Sequence, residues 1–540
     1  MVQLSDLPVE VLLDNILPNL PIADLLHLAI TNKLFAALCS DDTFWKRKCQ
    51  EDFNFTGSET ARTSGWRSLY RGLSHPRVFG WGEKRNGRLG VRELPKDVRG
   101  AGIPYPVEVK IPGVRIVSLA AGGMCFHALD SKGNVYVWGA IDGQGGALNS
   151  EGFAVKYKEA QVPHKLILPN PVRSISTGRI HSMVLDAKST VWTFVNWGRP
   201  FRLLSPLLDC HAPDTTPLQI ECGWTFCTIL TKAGDVLVYW PYSGGLNRQI
   251  EQTETDLNQQ GDKNAYPTED HCIPCVTTVI EADPFRLPPI PTTLPDLVNG
   301  LSEEERDAET RLIRIAAYDN TLVGLTNKGH VLKFANLANE RIFRSTRWEY
   351  LPKFSEPALV RQHPGFEGKD VPDTMRITHI TAHFQTFVAY STDSTSVVLM
   401  GSPDTTPTSD PTIIPSLQNR SVISVVLGDY HYAALTSTGK LLTWGAYSNG
   451  ALGLGNPLDI PAGHPGGYAT AAALDSARTR RWGIPDPPRV EEPAEVNFNR
   501  GKKGGRKFVF GATAAGWHTG ALVMDLEVRF LTQLDSLFFT

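Results

Sequence analysis

Cysteine is scarce in this chain. Eight cysteines in 540 residues, irregularly spaced, exclude a disulfide-stapled secreted scaffold and fit thiols kept as small core residues in a reducing compartment. No apolar run approaches the roughly eighteen residues a membrane helix needs. The opening Met1–Glu10 carries neither the basic segment nor the apolar stretch of a secretory leader. The expectation is an intracellular protein, cytoplasmic, nuclear or both, with no membrane partner. Charge of one sign is also missing: 53 Lys and Arg against 56 Asp and Glu leave a net charge of -3, so nothing draws the chain towards nucleic acid. Catalytic signatures are absent too, with no Gly-x-Ser-x-Gly elbow, no phosphate-binding Gly-Lys-Ser/Thr loop and no His-Glu-x-x-His helix. A non-enzyme without a cofactor is expected, and no catalytic or metal-ligating residue is assigned. His271-Cys272-Ile-Pro-Cys275 has half the spacing of a zinc site, but no second pair follows, and its cysteines read as incidental.

What is abundant is glycine (47), proline (38) and tryptophan (12), the mixture of many short strands and tight turns. A repeat accounts for it. The segments Leu129-Asp-Ser-Lys-Gly133-Asn-Val135-Tyr-Val-Trp138-Gly139 and Leu435-Thr-Ser-Thr-Gly439-Lys-Leu441-Leu-Thr-Trp444-Gly445 share one spacing, strand, turn, strand, with Gly at the turn position that needs positive φ. The same spacing recovers Leu230/Gly234/Tyr239, Leu325/Gly329/Phe334, the weaker Leu185/Ser189/Phe194 and the degenerate Tyr390/Ser394/Leu399. Upstream of these anchors lies Gly-x-x-His, as Gly178 to His181 and Gly428 to His431, with His518 in a seventh, truncated copy near the C-terminus. That copy stops before its Trp-Gly strand, and the missing strand stands alone near the other end as Val78-Phe-Gly-Trp81-Gly82. A ring closed by strands from both ends leaves no open sheet edge. Recurrence of His181, His431 and His518 at one position argues for core groups and against acid–base catalysis.

Gly-x-x-His, Leu-x-x-x-Gly-x-Val-x-x-Trp-Gly and Asn86-Gly87-Arg88-Leu89-Gly90 resemble the repeat of the regulator of chromosome condensation, whose family forms seven-bladed propellers. The resemblance implies an all-β seven-bladed propeller over residues 78–525, irregular in its fifth blade. The predicted structural residues are Trp81, Gly133, Trp138, His181, Gly234, Gly329, His431, Gly439, Trp444 and His518. Two insertions interrupt it. Residues 241–311 are polar and acidic and read as disordered until a capping box, Ser302 to Glu305, starts a short helix; their acidity marks them for regulation or for a basic partner. Residues 456–507 are rich in Pro and Gly and end in a basic run at 500–507 that reads as a solvated loop. A tail is expected over 526–540.

The N-terminal stretch has a helical period instead, with apolar residues at 4, 7, 8, 11, 12, 16 and 17, Pro8 at a helix start and Pro18 and Pro21 at a stop. The ordered set Leu-Pro-x-Glu-x-Leu-Leu, Ile-Leu-x-x-Leu, Asp-Leu-Leu, Lys-x-Phe and Phe-Trp-Lys resembles the F-box over nearly its full length. The resemblance implies a small all-α module over residues 1–50 that docks an S-phase-kinase-associated (Skp) adaptor, which holds a cullin and a RING subunit. Carried over position by position, the docking residues are Leu4, Leu7, Pro8, Val11, Leu12, Ile16, Leu17, Leu20, Leu25 and Leu28, with Phe35, Leu38 and Trp45 as core. Residues 51–77 read as a helical connector. Together the two resemblances imply the substrate-recognition subunit of a ubiquitin ligase, binding a protein target of unknown identity. Guanine-nucleotide exchange, chromatin binding, or an F-box assembly role outside a ligase stand as alternatives.

Overall fold

The computed structural model describes residues 4–526 except 97, 99, 143–151, 156–157, 262, 298, 481–482 and 500–504. Most of the basic run, and the tail from 527 onward, lie outside the described residues. No helix among them is long and apolar enough to cross a membrane.

Seven β-sheets form a ring. Blades are numbered one to seven from their innermost strands, which are Ile116–Ala121, Val172–Thr177, Pro217–Cys222, Leu312–Tyr318, His379–His383, Val422–Leu427 and Lys507–Ala515. In blades one to six the three inner strands form an antiparallel meander running outward, because the few residues joining them allow only antiparallel pairing. The turn at the repeat's glycine behaves as its spacing predicts: φ is 81° at Gly133, 97° at Gly234 and Gly329, and 78° at Gly439, while Ser189 takes 64° in the weak copy. In the degenerate fifth blade the positive φ moves to Asp393. That blade has three strands and, in place of a fourth, a single bridge between Met400 and Thr412.

The ring closes as the split repeat predicts. Arg77–Glu83 pairs antiparallel with His518–Asp525, with Val78 opposite Leu522 and Trp81 opposite Thr519, so both terminal segments satisfy backbone groups that would otherwise be open edges. The tryptophans of the repeat seal neighbouring blades. Gly453 lies against the Trp81 ring and Gly90 against Trp138, where any Cβ would come within 2.7 and 2.8 Å of the indoles; close approach is why the Asn-Gly-x-Leu-Gly segment ends in glycine.

The three repeat histidines latch blade two to three, six to seven and seven to one. His181 Nε2 donates to the Phe226 carbonyl at 3.1 Å, His518 Nε2 to that of Cys125 at 3.3 Å, and His431 Nε2 lies 2.9 Å from Thr519 Oγ1. Burial pushes His431 down to about 4 and His518 well below the usual imidazole range. Both are neutral when folded and protonate on unfolding below about pH 6.5. Stability from His431 is therefore complete above pH 6.5 and lost as pH falls towards 4, by about 3 kcal/mol. Urea titrations between pH 7 and 4 should show a shallower acid limb for His431→Gln than for the unsubstituted protein; equal slopes would refute the neutral latch.

The first insertion is ordered, contrary to the expectation of disorder. A helix spans Gly244–Gln259, then Cys272–Pro274 adds to blade one and Thr278–Glu281 to blade two, each as a parallel fifth strand, before Phe285–Arg286 completes blade three. Polar composition did not prevent this, because sheet edges offer backbone hydrogen bonds whatever the side chain. A few anchors, Ile250, Ala265, Ile273 and Ile280, are buried. The Arg199 guanidinium, 1% exposed, donates to Glu254, Asn258, Asn264 and the Lys263 carbonyl. The predicted capping box is present at Ser302 and Glu305, opening the helix Glu303–Asp307. In the second insertion Ala471–Thr479 is helical and Val490–Glu495 is the fourth strand of blade six.

Candidate partner-binding surfaces

In the N-terminal module a short turn at Leu4–Asp6 precedes three consecutive helical turns, Val9–Val11, Leu12–Ile16 and Leu17–Asn19, followed by helices Ile22–Ala29, Lys33–Leu38 and Asp42–Phe53. Side-chain caps explain two of the starts: Asn32 Oδ1 accepts from Phe35 N and Asp41 Oδ1 from Phe44 N. Pro8 sits just before the first turn as its N-cap. The ten predicted docking positions separate by exposure. Leu12, Leu17 and Leu25 are 0–1% exposed and pack with Phe35, Leu38, Phe44 and Trp45, which leaves them no surface for a partner. Leu7, Ile16, Leu20 and Leu28 are half-buried, while Leu4, Pro8 and Val11 are exposed. Val9, outside the predicted set, is 40% exposed beside them. An outward valine between two proline-anchored turns was visible in the sequence, but an apolar run nearly all round the helix hid which side was free.

The expected helical connector, residues 51–77, is helical at the end of Asp42–Phe53 and at Trp66–Gly72, which folds back on Asp42–Phe53: Asp42 accepts from the Trp66 amide at 2.8 Å and Tyr70 Oη donates to Asp52 at 2.6 Å. Residues 54–65 instead run without helix across one mouth of the propeller's central channel. Asn54 Nδ2 donates to the Val172 carbonyl, Ser118 Oγ to the Glu59 carboxylate, Arg314 Nη1 to the Ser58 carbonyl and the Ala61 amide to the Ile423 carbonyl, at 3.0, 2.6, 2.9 and 2.6 Å. Phe55 meets Phe510 edge-on. Each of these partners lies on an innermost strand, in blades two, one, four, six and seven, and Thr63 Oγ1 donates to Asp393 in the turn of blade five, so the segment is tied to six of the seven blades. Ser58 and Glu59 help line the channel, a cavity of about 520 Å³.

The far ends of the same strands lead into seven hairpin turns around the opposite mouth. There Arg179 lies 5.1 Å over the Trp224 ring, Trp224 is 6.1 Å from Phe384, and Phe384 is 5.5 Å from Tyr430. Tyr430 and Trp517 are 50% and 38% exposed. Beneath them Asp429 bonds Arg179 at 2.9 Å and His383 at 3.3 Å. Burial pushes the Asp429 carboxyl up, but the hydrogen bond and charge of His383, with the Arg179 guanidinium, outweigh it and hold it at about 2. Turn-to-turn bonds, Asp429 N to the Gly516 carbonyl and Trp224 N to that of Asp319, make the rim one piece. Sequence reading assigned no residue here, although these aromatics occupy the variable positions of Gly-x-x-His and its counterparts.

Residues 4–51 match the F-box-like family, and residues 422–451 match the regulator of chromosome condensation (RCC1) repeat. SCF-associated factor 1 of Saccharomyces cerevisiae is 25% identical over 358 residues, 65% of this chain and 42% of the relative. Human protein RCC2 is 30% identical over 208 residues, 33% of this chain and 38% of the relative. The chain thus spans less than half the length of these curated relatives. Among solved structures, Prp20p from Saccharomyces cerevisiae superposes with a TM-score of 0.50 at 15% identity, covering 91% of this chain and 96% of that one, a likeness of fold. The chain therefore joins an N-terminal helical region that matches the F-box-like family to a seven-bladed propeller, one stretch of which matches the regulator of chromosome condensation repeat.

Proposed function

We propose that this protein is the substrate-recognition subunit of an SCF-type ubiquitin ligase. The observation that carries this reading is the placement of two unlike surfaces at opposite mouths of one ring: the apolar F-box-like face around Pro8, Val9 and Val11, and the aromatic rim of Tyr430, Trp517, Trp224 and Phe384. The first docks a Skp adaptor, and through it a cullin and a RING subunit. The second receives the protein to be modified, since rigid aromatics with an arginine are the residues that dominate protein interfaces. No residue of this chain performs chemistry in this reading. Segment 54–65, tied to six blades, holds the target at a set distance from the conjugating enzyme, and the rate gain is one of effective concentration. In this reading segment 54–65 belongs to the propeller, while the helix Trp66–Gly72 belongs with the docking module on which it packs.

SCF-associated factor 1 supports the ligase reading by its name, and the match covers most of this chain. Prp20p is described by its binding to Gsp1p and histones, so a GTPase or histone partner is the rival. Affinity purification of the full chain under native conditions separates the two. Recovery of the adaptor and cullin is expected, and recovery of a small GTPase or histones without them would overturn the proposal. With a target in hand, Tyr430→Ala/Trp517→Ala should weaken its capture ~10-fold or more while leaving the adaptor bound; unchanged capture would move the target site elsewhere.

A further inference from the structure

The three latch histidines serve as controls for one another. At His181, His431 and His518 the ring is buried and Nδ1 has no hydrogen-bond partner among the described residues. What lies behind the ring differs. The next blade's two residues flanking the hairpin turn are Ala514 and Thr519 for His431, and Ala121 and Phe126 for His518. For His181 they are Cys222 and Cys227, opposite each other in antiparallel register. An imidazole nitrogen of His181 and the sulfurs of Cys222 and Cys227 all lie within 4.8 Å of one another, and the three residues are 1%, 5% and 0% exposed.

We propose that His181, Cys222 and Cys227 form a buried binding site for a thiophilic d10 cation, Cu+ or Zn2+, between blades two and three. Two thiolates and an imidazole are the donor set that soft cations select. Bound at about 2.0–2.3 Å from a central ion, such ligands stand roughly 3.5–4 Å apart, so the cluster needs a contraction of well under a residue's width. The imidazole is arranged as a ligating histidine is: the proton on Nε2 is given to the Phe226 carbonyl, which leaves the Nδ1 lone pair free and fixes the ring. Binding displaces the two thiol protons to solvent as the cation enters. The sequence could not show this site. Its ligands come from two blades, and the eye-catching Cys272 and Cys275 lie elsewhere, in and just after the strand added to blade one.

The test uses the full chain, reduced and freed of metal, then incubated separately with Zn2+ and with Cu+ under anaerobic conditions and passed through a desalting column. About one equivalent of one cation should be retained, with a raised thermal midpoint. Cys222→Ala/Cys227→Ala should retain less than about a tenth of that, whereas Cys210→Ser and His431→Gln should retain it in full. X-ray absorption of the loaded, unsubstituted protein should show two sulfur neighbours and at least one nitrogen, a readout that stands even if the double variant fails to fold. Absence of retained metal, a coordination shell without sulfur, or a Cys222–Cys227 disulfide that forms in air and leaves no metal bound would each overturn the proposal. Preference for Zn2+ with an added oxygen neighbour would place a water as fourth ligand, and preference for Cu+ would mark a three-coordinate site.

Discussion

Replacing Trp81 by alanine should destabilise the protein by about 3–5 kcal/mol, the range for emptying a buried tryptophan site. Trp81 is fully buried in the strand that closes the ring. Its Nε1 donates to the Ala451 carbonyl at 2.8 Å, and its ring meets Phe498 edge-on. The loss strikes at the seam between chain ends, so the variant should also open to protease at residues 507–525 before any other blade. Trp517→Ala is the control: a tryptophan on the turn face, whose removal should change stability by no more than about 0.5 kcal/mol. Chemical denaturation of the two variants decides it. Equal effects would mean that the closing strand contributes no more than surface packing.

The second large effect concerns the docking face. Val9→Asp/Val11→Asp places two carboxylates on the exposed side of the first helical turns, where the fold tolerates them and an apolar interface does not. Affinity for the Skp adaptor should fall ~100-fold or more, equivalent to about 3 kcal/mol, with circular dichroism and thermal midpoint nearly unchanged. Leu12→Asp would also abolish binding, but by unfolding the module, since Leu12 is fully buried; it cannot distinguish docking from stability. Adaptor binding that survives the valine substitutions at full strength would remove the F-box-like face from the proposed function.

Much of this was written in residue spacing. The constant interval from Leu through Gly to an aromatic specified hairpins one by one, and the orphan Val78–Gly82 strand specified their closure, because a strand cannot leave its backbone groups unpaired. The exposed side of the first helix was less legible. Apolar residues nearly all round it are compatible with several orientations, and only packing against Phe35, Phe44 and Trp45 chose which of them to bury. Composition misled at residues 241–311, where polarity suggested disorder: the edges of blades one and two accept any backbone, and Arg199 supplies an anchor that no periodicity encodes.

The contrast is clearest at the connector. Sequence by itself determined that a helical module precedes a closed seven-bladed ring, since periods of 3.6 and 2 are local properties of the chain. Where the module stands on the ring was decided by tertiary structure alone. Segment 54–65 crosses the channel mouth through contacts with residues as distant in sequence as Arg314, Ile423 and Phe510. The aromatic rim was likewise assembled only when turns from blades three, five, six and seven met around the opposite mouth. Pairings of that kind depend on which strands the closed ring brings together, and no local pattern can carry that information.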